Sequence, residues 1–178
     1  MKLLMLIFLV WSWCLPLLGQ TYKSTDSKVT FFSDAPLEDI KATNKDATGL
    51  FDSKSGELAF VVPIKGFEFR KSLMQQHFNE RFMESDKYPR GTFQGQLSNY
   101  DMESSGTQKA VAKGKMTIHG ITRDFQVTGD FTVSGNKIEM EAVFPIKVAD
   151  YDVEIPKVLF YNISEEVEVT VNFKFNAQ

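Results

Sequence analysis

The chain has 178 residues, 43% of them hydrophobic, enough to build the core of one domain and cramped for two. Its 20 lysines and arginines against 23 acids leave a formal charge of −3, without the basic footprint that a phosphate backbone requires, so nucleic acid is excluded as a partner. The single cysteine, Cys14, falls in the first twenty residues, which removes disulfide scaffolds, cysteine nucleophiles and thiolate metal sites from everything after it.

MKLLMLIFLVWSWCLPLLGQ opens with Lys2, continues apolar and ends on small Gly19 before polar Gln20, the three-part layout of a secretory leader. We expect a signal peptide over residues 1–19, one domain over 20–178, and a periplasmic or secreted destination. The apolar run is shorter than the ~20 residues of a spanning helix. Bulky Trp13 stands before Cys14, where lipoprotein processing wants a small residue.

SKVTFFS reads as a strand, with Val29 and Phe31 on one face and Thr30 and Phe32 on the other. Asp34-Ala35-Pro36 breaks it, and Ser33 or Asp34 is placed to cap a brief helical turn through Leu37, Glu38, Asp39 and Ile40. Residues 40–52 alternate, and SKSG, residues 53–56, is a hairpin turn signal. In GELAFVVPIKGFEF, Leu58, Phe60, Val62 and Ile64 share one face while Ala59 and Val61 make the other apolar too, with Pro63 pointing to an edge or a bulge.

Residues 71–86 form the one expected helix. Leu73, His77, Phe78, Arg81 and Phe82 recur at helical spacing beside Met74 and Met83, which puts the apolar members on one face, and Tyr88-Pro89 stops the helix. Strands then follow one another. TFQGQLSNY carries Phe93, Gly95 and Leu97 on one face, and KAVAKGKMTI carries Ala110, Ala112, Gly114, Met116 and Ile118. His119-Gly120 begins a tight turn into DFQVTGDFTV, and Ser134-Gly135-Asn136 turns into KIEMEAVFPI. Residues 150–163 are irregular, and EEVEVTVNFKF closes the series with Val167, Val169, Val171, Phe173 and Phe175 on one face.

Successive amphipathic strands joined by tight turns predict an all-β protein: an antiparallel up-and-down, lipocalin-like barrel of about eight strands with one main helix. The inward face mixes Phe and Met with small residues. These either fit the taper of a packed interior or leave room for one apolar ligand.

QQHFNERFMESDKYPRGTFQG, followed after one hairpin by GKMTIHGITRDFQV, resembles the YceI-like proteins, secreted bacterial proteins with a lipocalin-like barrel. The family's His-containing segment, Lys-Tyr-Pro with a following Phe strand, and Thr-Ile-His-Gly hairpin correspond here to His77, Lys87-Tyr88-Pro89, Phe93 and residues 117–122. The first strand lacks the His-Ser or His-Thr of the commoner pattern. The resemblance implies binding of a polyisoprenoid or isoprenoid quinone in an elongated apolar cavity, with no enzymatic activity and no cofactor.

For the cavity lining, the alternating faces nominate Phe60, Phe93, Ala112, Gly114, Met116, Phe125, Phe131, Met140, Phe144 and Phe173, most of which would be core residues even in an empty barrel. The helix and mouth contribute Arg70, Lys71, Leu73, His77, Phe78, Arg81 and Phe82, with the cations either solvated or facing a head group such as a pyrophosphate. His77 and His119 lack a defined third metal ligand, even with Asp124 near in sequence. The sequence has no Gly-x-Ser-x-Gly elbow, HExxH helix or phosphate-binding glycine loop. Asn162-Ile163-Ser164 fits the glycosylation sequon, which in a bacterial protein is a chance match. A homodimer and transient contact with a membrane surface are compatible with the sequence. Two other classes stay open: a stress-related structural or interaction protein with a filled barrel, and a hydrolase of lipid-like substrates.

Overall fold

The computed structural model describes residues 20–34, 39–155 and 164–178. The expected leader, Leu37 and Glu38 of the helical turn proposed over residues 37–40, the Val158-Leu159-Phe160 group and Asn162-Ile163 of the sequon lie outside the described residues, while Asp39 is not helical and Ile40 opens a strand.

Ten strands form one sheet that closes on itself. They are β1 (Thr21–Ser33), β2 (Ile40–Asn44), β3 (Thr48–Asp52), β4 (Glu57–Pro63), β5 (Phe67–Phe69), β6 (Arg90–Ser98), β7 (Gly106–Ile118), β8 (Ile121–Ser134), β9 (Lys137–Lys147) and β10 (Glu166–Ala177). All pairings are antiparallel, and β1 closes the barrel by pairing with β10 from Tyr22↔Ala177 to Phe32↔Glu168. On its other side β1 meets β3 at its start and β2 at its end. The second wall position is therefore one strand interrupted at residues 45–47, and the third, β4 then β5, is interrupted at residues 64–66. Counted by wall position the barrel has eight strands.

The interruptions are built by buried polar groups. Asn44, with no exposed surface, donates Nδ2–H to the Pro63 carbonyl at 2.7 Å and accepts the Asp46 N–H at 2.8 Å. Ser27 Oγ donates to the Ala47 carbonyl at 2.7 Å. Pro63 has no N–H to donate to the ladder and is the last residue of β4, where it pairs with Arg90 of β6.

Period-two alternation decides what is buried. Phe51, Phe131, Phe173 and Phe175 are at most 2% exposed, each contributing about 1.5–3 kcal/mol of transfer free energy. One end of the barrel is filled: the Phe51 ring stands 5.4 Å from Tyr100, 5.8 Å from Phe131 and 6.2 Å from Tyr22, and Tyr100 donates its hydroxyl to the Ser53 carbonyl at 3.0 Å.

The helix is shorter and less regular than its sequence pattern predicts. α1 spans Ser72–His77 and passes into one wide turn over Phe78–Phe82, where the Met83 N–H bonds to the Phe78 carbonyl, five residues back. Glu84, at φ 41°, then ends it, ahead of Tyr88-Pro89. The extra residue per turn shifts the face beyond Phe78, where Arg81 points to solvent, and Leu73, in the regular turn before it, is 60% exposed.

Candidate binding cavity

A cavity of about 560 Å³ occupies the barrel from the aromatic floor to the helix, a size typical of small-molecule sites. Of the residues nominated from sequence, Phe60, Phe93, Ala112, Met116, Phe125, Phe131, Met140, Phe144 and Phe173 border it. Gly114 does not. It pairs with Gly95 on β6, and a Cβ added at Gly114 would stand 2.2 Å from the Gln94 carbonyl oxygen and 2.5 Å from the Gly95 Cα. This glycine pair lets two strands approach closely and leaves no space for a ligand.

From the helix, His77, Phe78 and Phe82 reach the cavity together with Met74 and Met83, whereas Leu73, Arg70, Lys71 and Arg81 do not. Phe78 is the anchor of this lid. Its ring lies 5.5 Å from Phe31, 5.6 Å from Phe67 and 5.0 Å from Phe69. The cage formed by Phe31, Phe67 and Phe69 was missed among the nominated residues, although alternation in SKVTFFS and GFEF places all three facing one way. Asn79 Oδ1, buried within the wide turn, has no hydrogen-bond partner among the described residues.

Arg70 and Lys71 line a second depression with Asp39, Lys41 and Thr43, and Met74 borders this depression and the cavity alike. Its cations outnumber its single carboxylate.

The two histidines have separate roles. His77 borders the cavity. His119, 9% exposed, sits in the β7–β8 turn at φ 50° with Nδ1 3.2 Å from the Tyr151 carbonyl and Nε2 3.1 Å from Glu84 Oε2. A carbonyl only accepts, so Nδ1 is the donor on that side. Asp124 points elsewhere, bound to Lys115 at 2.8 Å, and that ammonium holds its carboxyl below the usual range. Among the described residues no group of three His, Cys, Asp or Glu side chains is arranged to hold a metal ion.

The two sequence motifs meet in space. The Tyr88 ring packs edge-on against His119 with centroids 4.4 Å apart, and a Cβ on Gly120, at φ 78°, would stand 2.6 Å from that ring. The Lys-Tyr-Pro and His-Gly segments thus brace one another beside the lid.

Comparison with known proteins agrees with this architecture. The sequence profile of the YceI-like domain matches residues 21–175. A polyisoprenoid-binding domain from Saccharophagus degradans, implicated in plant cell wall breakdown, is 16% identical with a TM-score of 0.77, covering 88% of this chain and 98% of that one. BcnA of Burkholderia cenocepacia is 18% identical with a TM-score of 0.69, covering 83% and 95%. A YceI protein of Campylobacter jejuni is 18% identical with a TM-score of 0.63, covering 80% and 87%. No curated protein matches significantly.

Proposed function

The chain belongs to the YceI-like domain family, and we propose that it is a binding protein that holds a long apolar lipid, a polyisoprenoid or an isoprenoid quinone, inside its barrel. The observation that carries this reading is the cavity of about 560 Å³ walled by Phe, Met, Val and Ile side chains, beneath a lid whose own residues complete the wall. Burial of each methylene supplies about 0.8 kcal/mol, and the losses of translational and conformational freedom on binding consume part of it. The similar domain from S. degradans, a polyisoprenoid-binding protein, supports the same class of cargo. A filled barrel is disfavoured by the open volume.

The depression at Lys41, Arg70 and Lys71, joined to the cavity through Met74, suits an anionic head group. Residues 1–19 support a periplasmic or secreted location. The function assigned is binding, without turnover.

The test is mass spectrometry of organic extracts from protein purified natively from its host, beside an empty-vector control. A stoichiometric isoprenoid or quinone is the expected result. A clean extract from folded protein that also takes up no added isoprenoid would overturn the reading.

A further inference from the structure

The barrel wall is not laddered all the way round. β7 and β8 stay in register from Gly106↔Val133 to Ile118↔Ile121, and β9 and β10 from Lys137↔Asn176 to Lys147↔Glu166. Between these long ladders, β8 and β9 pair from Ser134↔Lys137 to Asp130↔Glu141, and there the pairing stops. Residues 121–129 and 142–147 run on towards the lid end without a shared ladder.

A second observation, independent of the pairing, marks the same place. Phe131 and Met140 are inward and buried, so alternation turns Asp130 and Glu141 outward, and Asp130 bonds to Lys109 at 2.7 Å on the outer face. Yet both carboxylate residues border the cavity. With no side chain on Gly129 and only a methyl on Ala142, the lumen comes up against the wall itself at the level where the ladder ends.

Among the described residues, side chains alone span the slit above its base. At its base the strands are still close, since a Cβ on Gly129 would meet the Glu141 carbonyl oxygen at 2.5 Å. Higher up, the Phe125 and Phe144 rings meet edge to face at 4.8 Å. At the top, Arg123 hydrogen-bonds to the Asp150 carbonyl, with its guanidinium 3.8 Å from the Asp150 carboxylate. The other routes are better defended. The far end is filled by Phe51, Tyr100 and Phe131, and lifting the lid breaks the contacts of Phe78 with three rings at once. Parting the slit breaks one ring pair, the exposed Arg123–Asp150 contacts and, at the very top, the His119 bond to the Tyr151 carbonyl, a barrier with fewer aromatic contacts than the lid.

We infer that the slit between β8 and β9 is a lateral gate for the cargo, with Phe125 and Phe144 as its leaves and Arg123–Asp150 as its latch. A slit alongside the cavity passes a slender chain side-on and rejects a ligand too broad for it. The gate rests on the lipid-binding reading above.

Its test uses the absence of cysteine from residues 20–178. Thr128 and Val143 are the next outward positions above Asp130↔Glu141, so Thr128→Cys with Val143→Cys, joined by a disulfide or a short bis-maleimide, pins the slit shut. Val143→Cys with Thr170→Cys bridges strands that are already laddered and serves as the control. Stopped-flow fluorescence follows uptake and release of all-trans-retinol, a chain-shaped isoprenoid probe. Pinning the slit is expected to slow both rates about tenfold or more with the Kd held, while the control leaves them unchanged. Arg123→Gln, a second variant that needs no cross-link, speeds release. Equal rates in pinned and unpinned protein overturn the gate while leaving binding intact, as do unchanged rates in Arg123→Gln. Retinol bound by no form, folded by circular dichroism, overturns the binding reading and the gate with it.

Discussion

Ala112→Phe puts a phenyl ring into the middle of the cavity without touching the ends of the barrel. Ala112 lies on β7 between Leu97 of β6 and Val127 of β8, half-buried, with its methyl on the cavity wall. The substitution adds about six carbons to the lumen. If each displaces one ligand carbon, the loss at ~0.8 kcal/mol per methylene reaches about 5 kcal/mol, an upper bound because the chain can shift along the bore. Half that loss, about 2.5 kcal/mol, weakens binding by nearly two orders of magnitude. The unliganded fold has open volume to receive the ring, so its melting temperature should fall by only a few degrees, less than overpacking a filled core would cause. Titration with a fluorescent isoprenoid gives the Kd and a thermal melt gives the control. Binding within threefold of the parent, in a variant that melts normally, would falsify a cargo seated beside Ala112.

Gly114→Ala should behave in the opposite way, lowering stability by about 2–4 kcal/mol whether or not ligand is present, because its methyl meets the β6 backbone rather than the cavity; an unchanged denaturation midpoint would sink this account. Burial pushes the Tyr100 and Tyr151 phenols above their ordinary value, with Asp52 adding to the first, and Arg123 and Asp150 acting in opposite directions on the second. A raised phenol contributes in full below its unfolded pKa, near 10, and its contribution is lost as pH rises through the folded value, so stability should decline in the alkaline limb. The double variant Tyr100→Phe, Tyr151→Phe flattens that limb in melts taken across alkaline pH, and a limb just as steep in the variant refutes the assignment.

Much of the fold was legible because β7, β8, β9 and β10 alternate with period two, and the burial of Ala110, Phe131, Met140 and Phe173 follows that alternation. The broken wall positions were only half visible. Pro63 announced a break, but Asn44 and Ser27, which build it, look like ordinary strand polar residues until their partners are known. The helix face was misread at Leu73, which the spacing groups with Phe78 and the structure leaves exposed, and the wide turn that shortens the helix has no signature in residue spacing. Gly114 was misassigned for a related reason: alternation places it on the inner face, while its direct pairing with Gly95 is a property of register between strands. The slit was invisible altogether, since residues 121–129 and 142–147 alternate as well as any laddered strand.

The closure between β1 and β10 bears on the order in which this protein becomes itself. Tyr22 finds its partner in Ala177, so the first strand to be synthesised must wait for the last. Contacts this distant in sequence are slow to form, and until they do the hairpins between them are a curved ribbon with two free edges. The container therefore arrives all at once, late, and only when both β1 and β10 are present. A lipid present during synthesis meets strands, and nothing can be held until the two ends of the domain have met.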